Sequence, residues 1–304
     1  MQFSVRLVSV YLFLAVFIIF LAGCGGSMGP PRSSGSHLYV GDNATPGQVL
    51  QFTLPLTNSS TASVTLSNSA TNNIVGLAVD SSGNLATGDS AGHLTIYNAP
   101  IGNSSTAAAS FSNGSAGSSG QLVFDSAGHL FTATGTLNVN IFNPPLTSAS
   151  VPVTVETIGG LSFVTGAALD GSGNLIVANG GTGTSKLAAF PPAGPLVTPA
   201  VASALYRQLA VSNSQVFVAN MASTTGQIDV YNLPLSSSST PAFSITNVNL
   251  PTSVAFDGNG NLYVGNAGDH TIRVFRPPFS ASSTASVTLA LSSTFDIEAL
   301  AIGK

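Results

Sequence analysis

The amino-acid sequence predicts an all-β chain, a six-bladed β-propeller whose last strand closes onto the N-terminal strands. Three observations predict it. A short apolar run recurs six times at near-constant spacing, a proline step follows the third run of each unit, and each chain end holds the part of a unit that the other lacks.

The recurring runs begin at Gly76, Gln121, Gly166, Gln208, Ser253 and Ala299, so successive starts are 45, 45, 42, 45 and 46 residues apart. A period of about 40–45 residues with four strand-like runs per unit is that of a propeller blade. In the unit that begins at Gly76 the four runs, strands A to D, read GLAVD, NLATG, LTIYN and AAASF. The alternation of polar and apolar side chains, clearest in TIRVF from Thr271 to Phe275, is the period of a half-buried strand. An aromatic residue and then a proline end each third run: Phe52 and Pro55, Tyr97 and Pro100, Phe142 and Pro145, Phe190 and Pro192, Tyr231 and Pro234, Phe275 and Pro278. Proline there ends the hydrogen-bonded ladder, and the Ser/Thr-rich residues beyond it suit an outer hairpin turn.

The run HLYVGD, His37 to Asp42, has the pattern of a strand B with no strand A before it. ALAIG, Ala299 to Gly303, is a strand A with nothing after it. Pairing the two gives five complete blades and one composite blade, and leaves no open sheet edge.

Residues 1–23 carry one positive charge, Arg6, then an apolar run from Leu7 that ends in Leu21-Ala22-Gly23-Cys24. A basic start, an apolar middle and small residues at the cleavage point are the secretory pattern. The ending resembles a bacterial lipobox, which implies cleavage before Cys24 and lipidation of its thiol; an uncleaved anchor or an ordinary signal peptide are the alternatives. Cys24 is the chain's single cysteine, so no intramolecular disulfide forms. Residues 24–36 have the composition of a flexible tether with a stiffer Pro30-Pro31 step. No acidic residue stands next to the cysteine or in the tether, which suits the outer membrane if the cell is Gram-negative. The expected setting is therefore the bacterial cell envelope, with the domain of residues 37–304 held outside the cytoplasm.

Charged residues make up 6% of the chain, against about a quarter in an average soluble protein. A net charge of −4 and only two lysines, Lys186 and Lys304, leave no basic patch for nucleic acid and little to hold a phosphate. The expected partners are a membrane, through the lipid, and a protein or glycan; the propeller is expected to be monomeric.

DGNGNLYVGNAGDHTIRVF, Asp257 to Phe275, resembles an NHL-type repeat, and the same D-x-x-G-N turn recurs at Asp80 and Asp170. At Asp125 the fifth residue is His129, and Ser212 to Val216 departs from the pattern. The resemblance spans residues 37–304 and implies the fold alone. YVTN-type propellers are a near competitor, whereas the absence of tryptophan disfavours WD40 repeats.

Repetition also shapes the reading of candidate residues. Asp80, Asp125, Asp170 and Asp257 occupy equivalent turns, where a carboxylate accepts backbone N–H bonds. Asp42, Asp89, Thr134, Asn179, Asn220 and Asn266 end strand B in successive blades, on the face where the B–C and D–A loops emerge. The Asx oxygens of that ring, with Asp269 on a neighbouring loop, would hold sugar hydroxyls or Ca²⁺; the competing reading is an Asx turn that starts each B–C loop. No cofactor other than that Ca²⁺ is expected. His93 and His270 sit in the same loops.

Propeller lactonases similar to the SMP-30/gluconolactonase group use Glu, Asn and Asp around a divalent metal at the channel mouth. Here Glu298 precedes the closing strand and would face the channel, with Asn179 as a companion, but the rest of that site has no match. A metal-dependent hydrolase is thus the alternative to a binding scaffold, and no catalytic residue is assigned.

Overall fold

The computed structural model describes residues 37–67, 73–157, 163–180, 184–190, 200–202 and 204–304. The lipobox, Cys24 and the tether lie outside the described residues, as does the Pro192 step. Among the described residues every regular element is a strand, and no helix is long and apolar enough to cross a membrane.

Twenty-four described strands form six four-stranded antiparallel sheets. In chain order, β1 (His37–Asp42), β2 (Gln48–Thr53) and β3 (Val64–Ser67) belong to the first blade. The second is β4 (Ile74–Val79), β5 (Leu85–Asp89), β6 (His93–Tyr97) and β7 (Ala107–Ser112). The third is β8 (Leu122–Phe124), β9 (Leu130–Ala133), β10 (Asn138–Phe142) and β11 (Thr154–Thr157). The fourth is β12 (Val164–Leu169), β13 (Leu175–Asn179), β14 (Thr184–Phe190) and β15 (Ala200–Ala202). The fifth is β16 (Tyr206–Ser212), β17 (Gln215–Asn220), β18 (Gln227–Asn232) and β19 (Phe243–Ile245). The sixth is β20 (Pro251–Phe256), β21 (Leu262–Asn266), β22 (Thr271–Phe275) and β23 (Val287–Ala290). The last strand, β24 (Ile297–Gly303), is the inner strand of the first blade, in the order β24-β1-β2-β3.

The closure inferred from the chain ends is therefore present. His37 pairs with Gly303 and Val40 with Leu300 in one antiparallel register. The rim is tied as well. The backbone N–H of Thr288, in the sixth blade, donates to Asn58 Oδ1 of the first at 2.9 Å. Thr65 N–H bonds Asn103 of the second blade at 2.8 Å in the same way, and Ser110 N–H bonds the Ser148 hydroxyl of the third. Outer strands β3, β7 and β23 thus each find an acceptor on the next blade's hairpin. In five blades that hairpin contains a cis X-Pro bond, at Pro55, Pro100, Pro145, Pro234 and Pro278.

Apolar side chains pack between neighbouring blades rather than inside one sheet. Leu38, Val40 and Phe52 of the first blade meet Tyr263, Ile272 and Leu289 of the sixth. Ala86, Leu94 and Phe111 of the second meet Leu122, Phe124 and Phe142 of the third. Burying a side chain of this size contributes about 1.5–3 kcal/mol.

The A–B turns explain the repeated D-x-x-G-N. Asp257 Oδ1 accepts the N–H groups of Asn259 and Asn261, both at 2.9 Å, and its Oδ2 accepts from the Asn261 side chain at 2.7 Å. Asp80 and Asp170 repeat the pattern, and Asp125 does so with His129 in place of asparagine. The fourth position is glycine because its φ is positive, +79° at Gly260 and +87° at Gly83. The departing blade turns more tightly, pairing Ser212 with Gln215 and placing Asn213 at φ 55°.

Candidate functional site: the channel mouth

In five blades the A–B ladder carries a β-bulge at the end where strand A begins, for example between Gly41 and Asp42 and between Pro251 and Ser253. The residues that end strand B sit beside these bulges and secure the incoming D–A loop. Asp42 Oδ1 accepts Asp296 N–H at 2.9 Å and Ala44 N–H at 3.0 Å. Asn179 Oδ1 accepts Phe163 N–H at 2.7 Å, and Asn220 Oδ1 accepts those of Leu205 and Ala222. Asn266 Oδ1 accepts Asn249 N–H at 2.8 Å, while its amide donates to the carbonyls of Val264 and Thr271. Asp89 holds its own B–C turn through Ala91 N–H, His93 N–H and the His93 ring. Thr134 donates to the Asn138 carbonyl.

Asp42, Asp89, Asn179, Asn220 and Asn266 are buried, and the oxygens that a ligand would use already accept N–H bonds. Burial pushes the Asp42 carboxyl above its usual range, partly offset by the two N–H bonds it accepts. Asp269 stands apart from the ring, paired with Arg273 and Thr271. His270 Nδ1 meets the Phe295 carbonyl. Among the described residues no group of three or more His, Cys, Asp or Glu side chains gathers as a metal site. These residues do not fit a Ca²⁺ site, because their oxygens are turned to the backbone and not to a shared centre.

The channel itself is barred. The repeat position that begins each inner run holds Gly76, Gln121, Gly166, Gln208, Ser253 and Ala299. The Gln121 amide donates to the Leu209 carbonyl at 2.7 Å, and its oxygen accepts the N–H groups of Leu209 and Ala167. Gln208 reaches the opposite side, donating to the Val75 carbonyl at 2.9 Å. Small residues elsewhere in the layer make room for these two: a Cβ on Gly166 would stand 2.6 Å from the Arg207 carbonyl oxygen. Sequence reasoning missed both crossbars, although glutamine at a position otherwise Gly, Ser or Ala was a visible signal.

Below the crossbars the channel holds a cavity of about 190 Å³, lined by Leu77, Leu169, Val254 and Leu300 with Ser212 and Asp257 among others. Above them a cavity of about 170 Å³ with a mixed lining opens at the mouth, between Val75 and Val164 and the side chains of Asn43, Phe163, Thr165, Arg207, Gln208 and Glu298, among others. Glu298 thus lines the channel mouth, from within β24 and not ahead of it as the sequence pattern implies. Its side chain is 16% exposed, and Arg207 Nη1 lies 3.7 Å from its carboxylate, beyond hydrogen-bonding distance. Burial pushes the Glu298 carboxyl up to about 7, against the pull of the Arg207 charge and with a small push from Asp296. Arg207 Nε contacts the Met221 sulfur at 3.2 Å. The cavity therefore holds a guanidinium and a carboxyl whose bonding capacity the fold has left largely unspent. Arg207, like the glutamines, was not singled out from the sequence; Asn179, proposed as Glu298's companion, does not line the cavity.

Large apolar side chains are seldom exposed among the described residues. Phe163 and Leu137, each 41% exposed, are on this face, and Val151, Val153 and Val155 run along the outer edge of the third blade.

No family model matches the chain, and no curated protein matches it either. Solved structures do. A protein from Lactobacillus plantarum is 17% identical with a TM-score of 0.59, covering 84% of this chain and 82% of that one. A protein of unknown function from Bacteroides caccae is 13% identical with a TM-score of 0.66, covering 88% and 98%. The β-propeller domain of Cps50 (Swd1) from Myceliophteria thermophila is 12% identical with a TM-score of 0.56, covering 85% and 84%. At these identities the likeness is one of fold.

Proposed function

We propose that this chain is an envelope lipoprotein, anchored through Cys24, whose NHL-like propeller binds a protein or glycan through the channel-mouth face. The observation that carries the binding face is the mouth cavity. It is closed below by the glutamine crossbars, and it contains Arg207 and Glu298 with bonding capacity to spare. The Asx ring, including Asp42, Asn179, Asn220 and Asn266, shapes that face by holding its loops.

A photo-crosslinking residue at position 163, on the mouth, or at position 282, on the outer hairpin, tests this in living cells. A discrete adduct from position 163 and none from 282 is expected; adducts from 282 alone would contradict it. For the anchor, Cys24→Ser should lose both a metabolic lipid label and the membrane fraction, and unlabelled, soluble wild-type protein would contradict that part.

One observation favours the hydrolase as a second reading. A buried carboxyl tuned near neutral pH at a channel mouth suits proton transfer. It lacks a companion acid or metal-binding group in the cavity.

A further inference from the structure

The mouth cavity has a composition, shape and floor that together restrict its ligand. Its lining contains one cation, Arg207, and one acid, Glu298, so it carries at most one net positive charge. A phosphate or nucleotide would need more positive charge, and a bare ion would leave most of about 170 Å³ unfilled. That volume equals about five or six waters at roughly 30 Å³ each, the room taken by one small polar molecule. The floor is closed by Gln208, whose amide nitrogen is committed to Val75 and whose oxygen is thereby fixed as an acceptor. The Ser118 hydroxyl lines the wall, and Phe163 is half-exposed at the rim. Guanidinium donors beside a carboxyl at 3.7 Å match a pair of adjacent hydroxyls, each of which both donates and accepts. An exposed aromatic ring offers a flat apolar surface to the C–H face of a pyranose.

We infer that the mouth cavity binds the terminal sugar residue of a neutral glycan, with Arg207 and Glu298 holding adjacent hydroxyls and Phe163 covering one face of the ring. The inference rests on the mouth face being the binding face. Because the crossbars close the well, it takes a chain end and not an internal residue.

The test uses the full chain in a sugar-free detergent, titrated by calorimetry with methyl pyranosides of glucose, galactose, mannose and N-acetylglucosamine, and with glycine as a zwitterion. Saturable binding of at least one glycoside is expected. Arg207→Gln should weaken it by about tenfold or more, the cost of a lost hydrogen bond to a charged group. Phe163→Ala, at an exposed position that leaves the fold intact, should weaken it too. Absence of binding across the glycosides, binding of glycine alone, or affinity unchanged in Phe163→Ala would overturn the inference. A position-163 adduct without glycoside binding would remove the sugar and keep the binding face; loss of both would remove both.

Discussion

Glu298, on the closing strand, and Arg207, on the inner strand of the fifth blade, face each other across the channel mouth at 3.7 Å. Strand closure therefore does more than seal the ring, since it also delivers the acid to the cavity.

That placement makes stability depend on pH. Burial pushes the folded Glu298 carboxyl up to about 7 from the 4.5 usual for an exposed glutamate, so the folded state holds the proton more tightly. Stability is highest below the unfolded value, falls as pH rises from about 4.5 to about 7, and levels off above that. The loss is on the order of 3 kcal/mol. Thermal unfolding of Glu298→Gln should lack this slope and should exceed wild type at pH 8. Parallel curves for the two proteins would contradict the assignment.

Removal of residues 298–304 should be far more damaging than loss of a chain end usually is. It strips β1 of its partner and uncovers the apolar residues that Leu300 packs against, among them Leu38 and Val40 of the first blade and Tyr263 of the sixth. A fall in Tm of about 10 °C or more is expected, from several kcal/mol at 2–4 °C each. Similar melting of full and truncated chains would disprove closure.

The crossbars predict a second set of costs. Gln121→Leu leaves two N–H groups and one carbonyl without their partner, which should cost about 2–4 kcal/mol. Gly166→Ala should cost about 1–3 kcal/mol by overpacking against the Arg207 carbonyl. Chemical denaturation measures both, and changes within about 0.5 kcal/mol would show that the channel is not packed this way.

The fifth blade contains a buried network that spacing alone did not reveal. Asp229 accepts bonds from Asn220, Gln227, Ser244 and the Tyr206 hydroxyl, which in turn meets Tyr231 at 2.6 Å. Burial pushes both phenols up, Tyr231 to about 12, so they remain neutral donors. Asp229→Ala should cost about 3–5 kcal/mol in equilibrium unfolding, as loss of a buried charged partner does. Asp269→Ala, at a part-exposed pair, should cost under about 1 kcal/mol.

Much of the fold was legible because a blade is a local repeat. The turn aspartates at 80, 125, 170 and 257, the proline steps and the two half-units are all features of sequence register. The hexapeptide DSAGHL shows the limit. It occurs from Asp89, where it turns from strand B to C, and from Asp125, where it turns from A to B, with the same hydrogen bonds in both. Local chemistry fixes the turn and not its place in the blade. The strand-B ends meet the D–A and B–C loops, but spacing does not say whether an Asx oxygen meets a ligand or a backbone N–H. Arg207, Gln121 and Gln208 act across the channel, between blades far apart in sequence, and only ring geometry brings them together.

The central claim is that the mouth's binding groups are Arg207 and its neighbours, while the Asx residues hold the loops. Crosslinking from position 163, paired with thermal unfolding, in Arg207→Gln and Asn266→Ala tests it most directly. Asn266→Ala should lose about 2–4 kcal/mol of stability and keep the adduct below its melting range. Arg207→Gln should keep its Tm and lose the adduct. The reverse pattern, with the adduct following Asn266 and indifferent to Arg207, would contradict the account.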